Sequence, residues 1–278
     1  LQIFHLVNLS IGWMTLFGFY KLGKILFNEN IGVLFFIFLF FHPVFFGHMS
    51  INGKDTILTF SHIWIFYFFI EYLNKQNNNF ESKKIIIKIA ILLSLATGIQ
   101  LYFPATLIPL FFFGMLEIFF LKKFININFN YKKLIKDIFF IFLIFYFIMI
   151  IFWVDAHNNI LKLPVNLFLD SFNTDRGWKT NMINGNIYFS NTTPLHYILT
   201  LTIYKSPEYL LLLYIFFIFF YFSIQKFFAK NFKLFNHNLS LILSIIFFPT
   251  FLLMISPFQV YDGLRLFLWY VPYTVMIP

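Results

Sequence analysis

The sequence predicts an all-α fold, a polytopic transmembrane helical bundle, and three observations carry that prediction. Of its 278 residues, 60% are hydrophobic and only 11% are charged. Soluble domains run at about a quarter charged, so a water-facing surface cannot be assembled from what remains. The apolar residues come in blocks of roughly 15 to 21 separated by short Lys- and Asn-rich stretches, the pattern of repeated bilayer crossings. The cations, finally, collect in alternate loops, as they do between successive crossings.

The blocks place spans near 1–20, 31–46, 56–73, 85–100, 104–121, 137–154, 208–225 and 239–257, with a ninth starting near 266. Several are short for about 30 Å of hydrocarbon at about 1.5 Å per residue, so the helices are expected to extend into their polar flanks. The blocks 85–100 and 104–121 are split only by Leu101, Tyr102, Phe103 and Pro104, where proline disfavours an unkinked helix. They are expected to cross and return as two short helices. Residues 1–278 are expected to form a single transmembrane domain. The chain begins at Leu1 inside one apolar block and ends at Pro278 inside another, so an internal fragment is expected, lacking an N-terminal span with its outer loop and further C-terminal spans.

Fourteen of the twenty cations mark one face: Lys21 and Lys24; Lys75, Lys83, Lys84 and Lys88; Lys122, Lys123, Lys132, Lys133 and Lys136; Lys226, Lys230 and Lys233. By the positive-inside rule this face is cytoplasmic. Lys54, Lys162, Arg176, Lys179, Lys205 and Arg265 fall on the other. A net charge of +9 is therefore a matter of topology, and no nucleic-acid partner is implied. The 47 Phe are read as lipid-facing filler, and the absence of Cys excludes disulfides and thiolate chemistry.

The polar variety of the chain lies on the outer face. Asn52-Gly53-Lys54-Asp55 precedes the third span, where a carboxylate at a helix N-terminus is favoured by the dipole. Asp55 could hold a divalent cation such as Mg or Mn, and Lys54 offers a point charge to phosphate. The plainer reading is a turn in which Asp55 caps the helix and Lys54 snorkels; His48 nearby is equally readable as a structural histidine. In Tyr261-Asp262-Gly263-Leu264-Arg265, a guanidinium at the start of a span is costly unless paired or bound to an anion. With Lys the default cation, Arg265 is one of only two arginines, and it is read as a bidentate clamp on a lipid-linked phosphate, the plainer alternative being a local pair with Asp262 or an interfacial anchor. The stretch 155–207 holds Asp175, Arg176 and Trp178 among amides and aromatics of the types that bind sugars, although a solvated loop accounts for its polarity as well. Its end, from Pro194 to Pro207, reads as a short amphipathic helix in the interface.

Together, His42 to Phe60, HPVFFGHMSINGKDTILTF, resembles the Pro, Gly-His, Asn-x-Lys-Asp signature of membrane glycosyltransferases of the GT-C superfamily, the group that includes the dolichyl-phosphate-mannose protein mannosyltransferases. Asn184-Gly185, Pro194 and Tyr197, Ser206-Pro207-Glu208 and Tyr261-x-Gly263-x-Arg265 follow in a similar order. The resemblance implies transfer of a sugar from a polyisoprenyl-phosphate carrier to an acceptor on the outer face, the periplasmic side of a bacterial inner membrane. It implies two outer-loop acids: the first, acting as general base or metal-site residue, is expected ahead of Leu1, and Asp55 matches the second. Lys54, Asn52, His48, Arg265, Tyr261, Asp175, Arg176 and Trp178 are the expected substrate contacts. The expected partners are membrane lipid and the lipid-linked sugar. An O-antigen-type polysaccharide polymerase would call for more than one functional arginine in the large outer loop, and a transporter or flippase for charged or broken helices at mid-membrane; a membrane scaffold gives no reason for polar clustering on one face.

Overall fold

An apolar chain in lipid must satisfy its backbone donors and acceptors internally, which leaves the helix as the natural state of each block. The computed structural model describes residues 2–125, 129–152, 157, 159–162, 180–232, 234–255 and 263–277. Its helices are α1 (Gln2–Leu26), α2 (Glu29–Phe40), α3 (Pro43–His48), α4 (Gly53–Lys75), α5 (Asn79–Ile99), α6 (Phe103–Thr106), α7 (Ile108–Leu116), α8 (Tyr131–Phe152), α9 (Tyr197–Lys205), α10 (Glu208–Asn231), α11 (Phe235–Ile255) and α12 (Val271–Val275). One antiparallel hairpin, β1 (Thr180–Ile183) and β2 (Asn186–Phe189), is the sheet found among the described residues. The architecture is all-α. By length and composition α1, α4, α8, α10 and α11 are each able to cross a membrane, the character of a multi-pass membrane protein.

Residues 1–60 with 175–278 form one compact unit and residues 61–174 a second. In the first, α1 and α2 approach closely because glycines face each other: a Cβ on Gly32 would lie 2.6 Å from the Tyr20 carbonyl oxygen, and one on Gly23 would lie 2.8 Å from Gly32 Cα. Asn28 caps α2, its side-chain oxygen accepting from Ile31 N at 2.9 Å. The block expected as one span near 31–46 is broken, since the chain leaves α2 at Phe41 and Pro43 opens the separate helix α3. Polar groups tie distant helices together: the buried Asn238 Nδ2 donates to the Leu26 carbonyl, and the partly buried Tyr209 Oη to the Phe38 carbonyl at 3.2 Å. The block expected to open a span near 266 holds a 3₁₀ turn at Gly263–Arg265 and then only the five residues of α12.

The second unit packs α5 against α8, with Met149 buried beside Phe145 and Ile150. Its polar end is a reciprocal pair: Gln76 Nε2 donates to the Asn130 carbonyl at 3.0 Å while Asn130 N donates to Gln76 Oε1 at 2.8 Å. Tyr72 Oη donates to Asp137 Oδ2 at 2.8 Å. The break expected near Pro104 is present after Gln100, but the block 104–121, expected as one helix, is itself divided into α6 and α7, each with proline in its first turn.

Candidate functional site: an aspartate–arginine pair beside a cavity

The site is built from three segments that the chain separates widely. The first is the turn between α3 and α4. His48 ends α3, and its carbonyl accepts from Asn52 N at 2.9 Å and from Thr56 Oγ1 at 3.2 Å, folding the turn back on itself. Asn52 then caps α4. Its side-chain oxygen accepts from Asp55 N at 3.2 Å, and its amide Nδ2 donates to Asp55 Oδ2 at 2.7 Å. Capping thus belongs to Asn52, and Asp55 sits three residues on, inside the first helical turn, where the dipole favours its charge. The turn is also held from α1. Asn8 is 2% exposed, and with its amide oriented to meet both donors, its oxygen accepts from Asn52 N at 3.1 Å and Gly53 N at 3.2 Å.

The second segment is the 3₁₀ turn Gly263–Arg265. Gly263 has φ +64°, a conformation that L side chains rarely adopt, and it aims the following residues back toward α4. Arg265 Nε donates to Asp55 Oδ2 at 3.2 Å. The two ends of this ion pair differ in setting, since the Asp55 side chain is 2% exposed and the Arg265 side chain 46%. The pair therefore has a buried anion and a cation that reaches toward solvent. Oδ2 carries both contacts, while Oδ1 is buried and makes no hydrogen bond.

The third segment runs from the hairpin into α10. Asn184 and Gly185 both have positive φ, 50° and 81°, and they form a two-residue turn of the type that suits hairpin twist. Pairing of Ile183 with Asn186 across it sets the register. A cavity of about 1090 Å³ lies between β1, α9, the start of α10, the α3 end and the 3₁₀ turn. Arg265, His48 and Asn181 line it, together with Lys205, Pro207 and Glu208. Drug-sized ligands occupy pockets of about 300–1,000 Å³, so the space is of the size that takes a small molecule.

Of the residues expected from the sequence, Asp55, Asn52 and Arg265 come together in one bonded cluster, and His48 and Arg265 face the cavity. Lys54 is exposed and is not among its lining residues. Asp175, Arg176, Trp178 and Tyr261 lie outside the described residues. Two contributors were not singled out. Lys205 lines the cavity beside Arg265, and its scarcity as an outer-face cation was a usable signal. Asn8 is an amide in the interior of an apolar helix, which is costly without a partner, and that cost points to the contact it makes.

Chemically, the arrangement offers two cations to an anion and one buried carboxylate to a proton or a metal ion. No group of three or more metal-ligating side chains occurs among the described residues. Asp55 alone fits a Mg²⁺-like ion only in the mode in which one carboxylate is joined by waters and substrate phosphate. No family model, curated protein or solved structure matches the chain.

Proposed function

We infer that this chain is a membrane glycosyltransferase that moves a sugar from a polyisoprenyl-phosphate carrier to an acceptor on the outer, periplasmic face of a bacterial inner membrane. The observation that carries the reading is the Asp55–Arg265 pair at the edge of a cavity also lined by Lys205. Support comes too from the resemblance of His42–Phe60 to the GT-C signature, within which Asp55 is the acid of the second outer loop. In this reading the apolar blocks near 31–46, 85–100, 104–121 and from 266 join the five long helices to make about nine crossings, with the segments 47–55, 155–207 and 261–265 outside.

The chemistry asks little of the protein beyond placement and charge. An acceptor hydroxyl attacks the anomeric carbon, forming a new C–O bond. The bond from that carbon to the carrier phosphate breaks, and the phosphate leaves with the electron pair. Arg265 and Lys205 offset the charge that develops on the departing phosphate, the kind of fixed electrostatic stabilisation that lowers such barriers most. Engagement of Arg265 by the phosphate loosens its hold on Asp55 Oδ2, and the carboxylate receives the proton of the acceptor. A divalent cation such as Mg or Mn, were Asp55 to hold one, would supply further charge neutralisation. Cleaving the carrier at an interface keeps its hydrocarbon in lipid and its phosphate in water.

The test is transfer of labelled sugar from a polyisoprenyl-phosphate donor by the full-length protein in native membranes. Asp55→Asn and Arg265→Lys are each expected to lower transfer at least tenfold, about 1.4 kcal/mol of transition-state stabilisation. Wild-type rates in both variants would remove the pair from the mechanism.

A further inference from the structure

The hairpin ahead of α10 carries an apolar surface for which sugar transfer has no use. In the β1–β2 ladder Met182 faces Ile187 and Thr180 faces Phe189, so these side chains share one face of the ribbon. Met182, Ile187 and Phe189 are 70%, 74% and 64% exposed, while Asn181 and Ile183 on the opposite face are buried. Residues 180–189 include no Asp, Glu, Lys or Arg. Hairpin edges that stay in water are ordinarily guarded by charge, Lys above all. A patch of large uncharged side chains marks instead a surface meant to be covered.

The position of the hairpin says what covers it. Thr180 and Met182 line the same cavity as Pro207 and Glu208, so β1 and the first turn of α10 are walls of one cavity. Only 6% of the apolar window of α10 is buried, so this 24-residue helix presents its length to lipid from that point on. The patch therefore adjoins the level at which α10 leaves water for hydrocarbon. Between hairpin and α10, Tyr204 on α9 is 70% exposed, a ring of the amphipathic kind that gathers at membrane boundaries. The turn residues Asn184 and Gly185 are polar, and burying them tip-first in acyl chains would strand their amides.

We propose that the β1–β2 hairpin lies flat on the bilayer at the N-terminal end of α10, with Met182, Ile187 and Phe189 in the headgroup–acyl boundary. Met182 belongs both to this patch and to the cavity lining, so one rim of the cavity is open to lipid and an amphiphile reaches it without leaving the membrane. This placement stands apart from sugar transfer and holds or fails without it.

Because the chain has no Cys, single thiols can be introduced for nitroxide labelling in phosphatidylcholine–phosphatidylglycerol nanodiscs. Met182→Cys, Ile187→Cys, Phe189→Cys and, as the aqueous reference, Asn186→Cys are compared by collision with oxygen, which partitions into lipid, and with a water-soluble nickel chelate. The ratio of oxygen to nickel accessibility is expected to be severalfold higher at 182, 187 and 189 than at 186. Ratios at two or more of these apolar positions equal to that at 186 overturn the proposal by placing the hairpin in water. Protection from both reagents overturns it as well, since the face is then covered by protein. Three independent label positions keep the test decisive if one of them disturbs folding.

Discussion

Replacing Arg265 by Met removes the guanidinium and keeps most of the apolar stem, which isolates its electrostatic role. The perturbation acts mainly on Asp55, whose side chain is 2% exposed and retains only the Asn52 amide, at 2.7 Å, as a hydrogen-bond donor to its carboxylate. A hydrogen bond to a charged group contributes about 1.5–3 kcal/mol, whereas an exposed ion pair contributes about 0.2–1 kcal/mol. Three features place the present pair between these limits: a single contact at 3.2 Å, a buried anion, and a cation 46% exposed. A coupling of about 1.5 kcal/mol is expected. The assay is a double-mutant cycle of Asp55→Asn, Arg265→Met and the combined variant, read from reversible unfolding by sodium dodecyl sulfate in mixed micelles. Arg265→Met alone is expected to cost about 2 kcal/mol, because it also leaves a buried carboxylate short of a partner. The combined variant should cost less than the two single changes added together. Costs that add to within about 0.5 kcal/mol would refute the pairing as an energetic unit.

Three other expectations follow from the same packing. Asn8→Leu removes the acceptor for Gly53 N and one of the two acceptors for Asn52 N and is expected to lower unfolding stability by about 1–3 kcal/mol, together with sugar transfer, because the turn that positions Asp55 loosens; unchanged stability would show that water replaces the amide. Gly32→Val sets a branched side chain where even a Cβ lies 2.6 Å from the Tyr20 carbonyl oxygen, a backbone atom unable to swing away. It is expected to cost about 1–3 kcal/mol, checked by the same unfolding titration. Lys205→Gln removes a cavity cation that makes no contact with Asp55. It is expected to raise KM for the lipid-linked donor severalfold with a smaller effect on unfolding than Arg265→Met; an unchanged KM would take Lys205 out of phosphate binding.

Much of the fold was legible because the bilayer imposes a coarse rule: where roughly twenty apolar residues run together, a helix forms. The break at Pro43 was harder to see. His42-Pro43 interrupts a run whose hydrophobicity continues, and a hydropathy count does not register the missing backbone donor. The hairpin lies in a stretch whose polarity reads as a solvated loop, although Asn184-Gly185 is a strong two-residue turn signal; its flanks are four-residue strands, too short for alternation to stand out. At the site, scarcity guided the reading. Asp55 and Arg265 were conspicuous as charges in an apolar chain, and a buried charge needs a partner. What the sequence withheld was that they are each other's partner, since they lie 210 residues apart and only the packing of the 3₁₀ turn against the start of α4 joins them. The cap was likewise assigned to Asp55 when Asn52 performs it, because Asn and Asp three residues apart are both competent caps and the choice rests on where helical backbone begins. Neither Lys54 nor Asp55 is among the cavity-lining residues: Lys54 is exposed, and the buried Asp55 is joined to the lining through Arg265.

The most direct measurement is release of polyisoprenyl phosphate from a panel of lipid-linked sugars by the purified full-length protein in nanodiscs, with the acceptor supplied by a membrane extract. Glycosyl transfer through the Asp55–Arg265 cavity predicts that carrier phosphate and glycosylated acceptor appear in equal amounts, and that Arg265→Lys lowers both together. Carrier that stays intact with every donor, while the protein remains folded and the extract supports transfer by other enzymes, would contradict it.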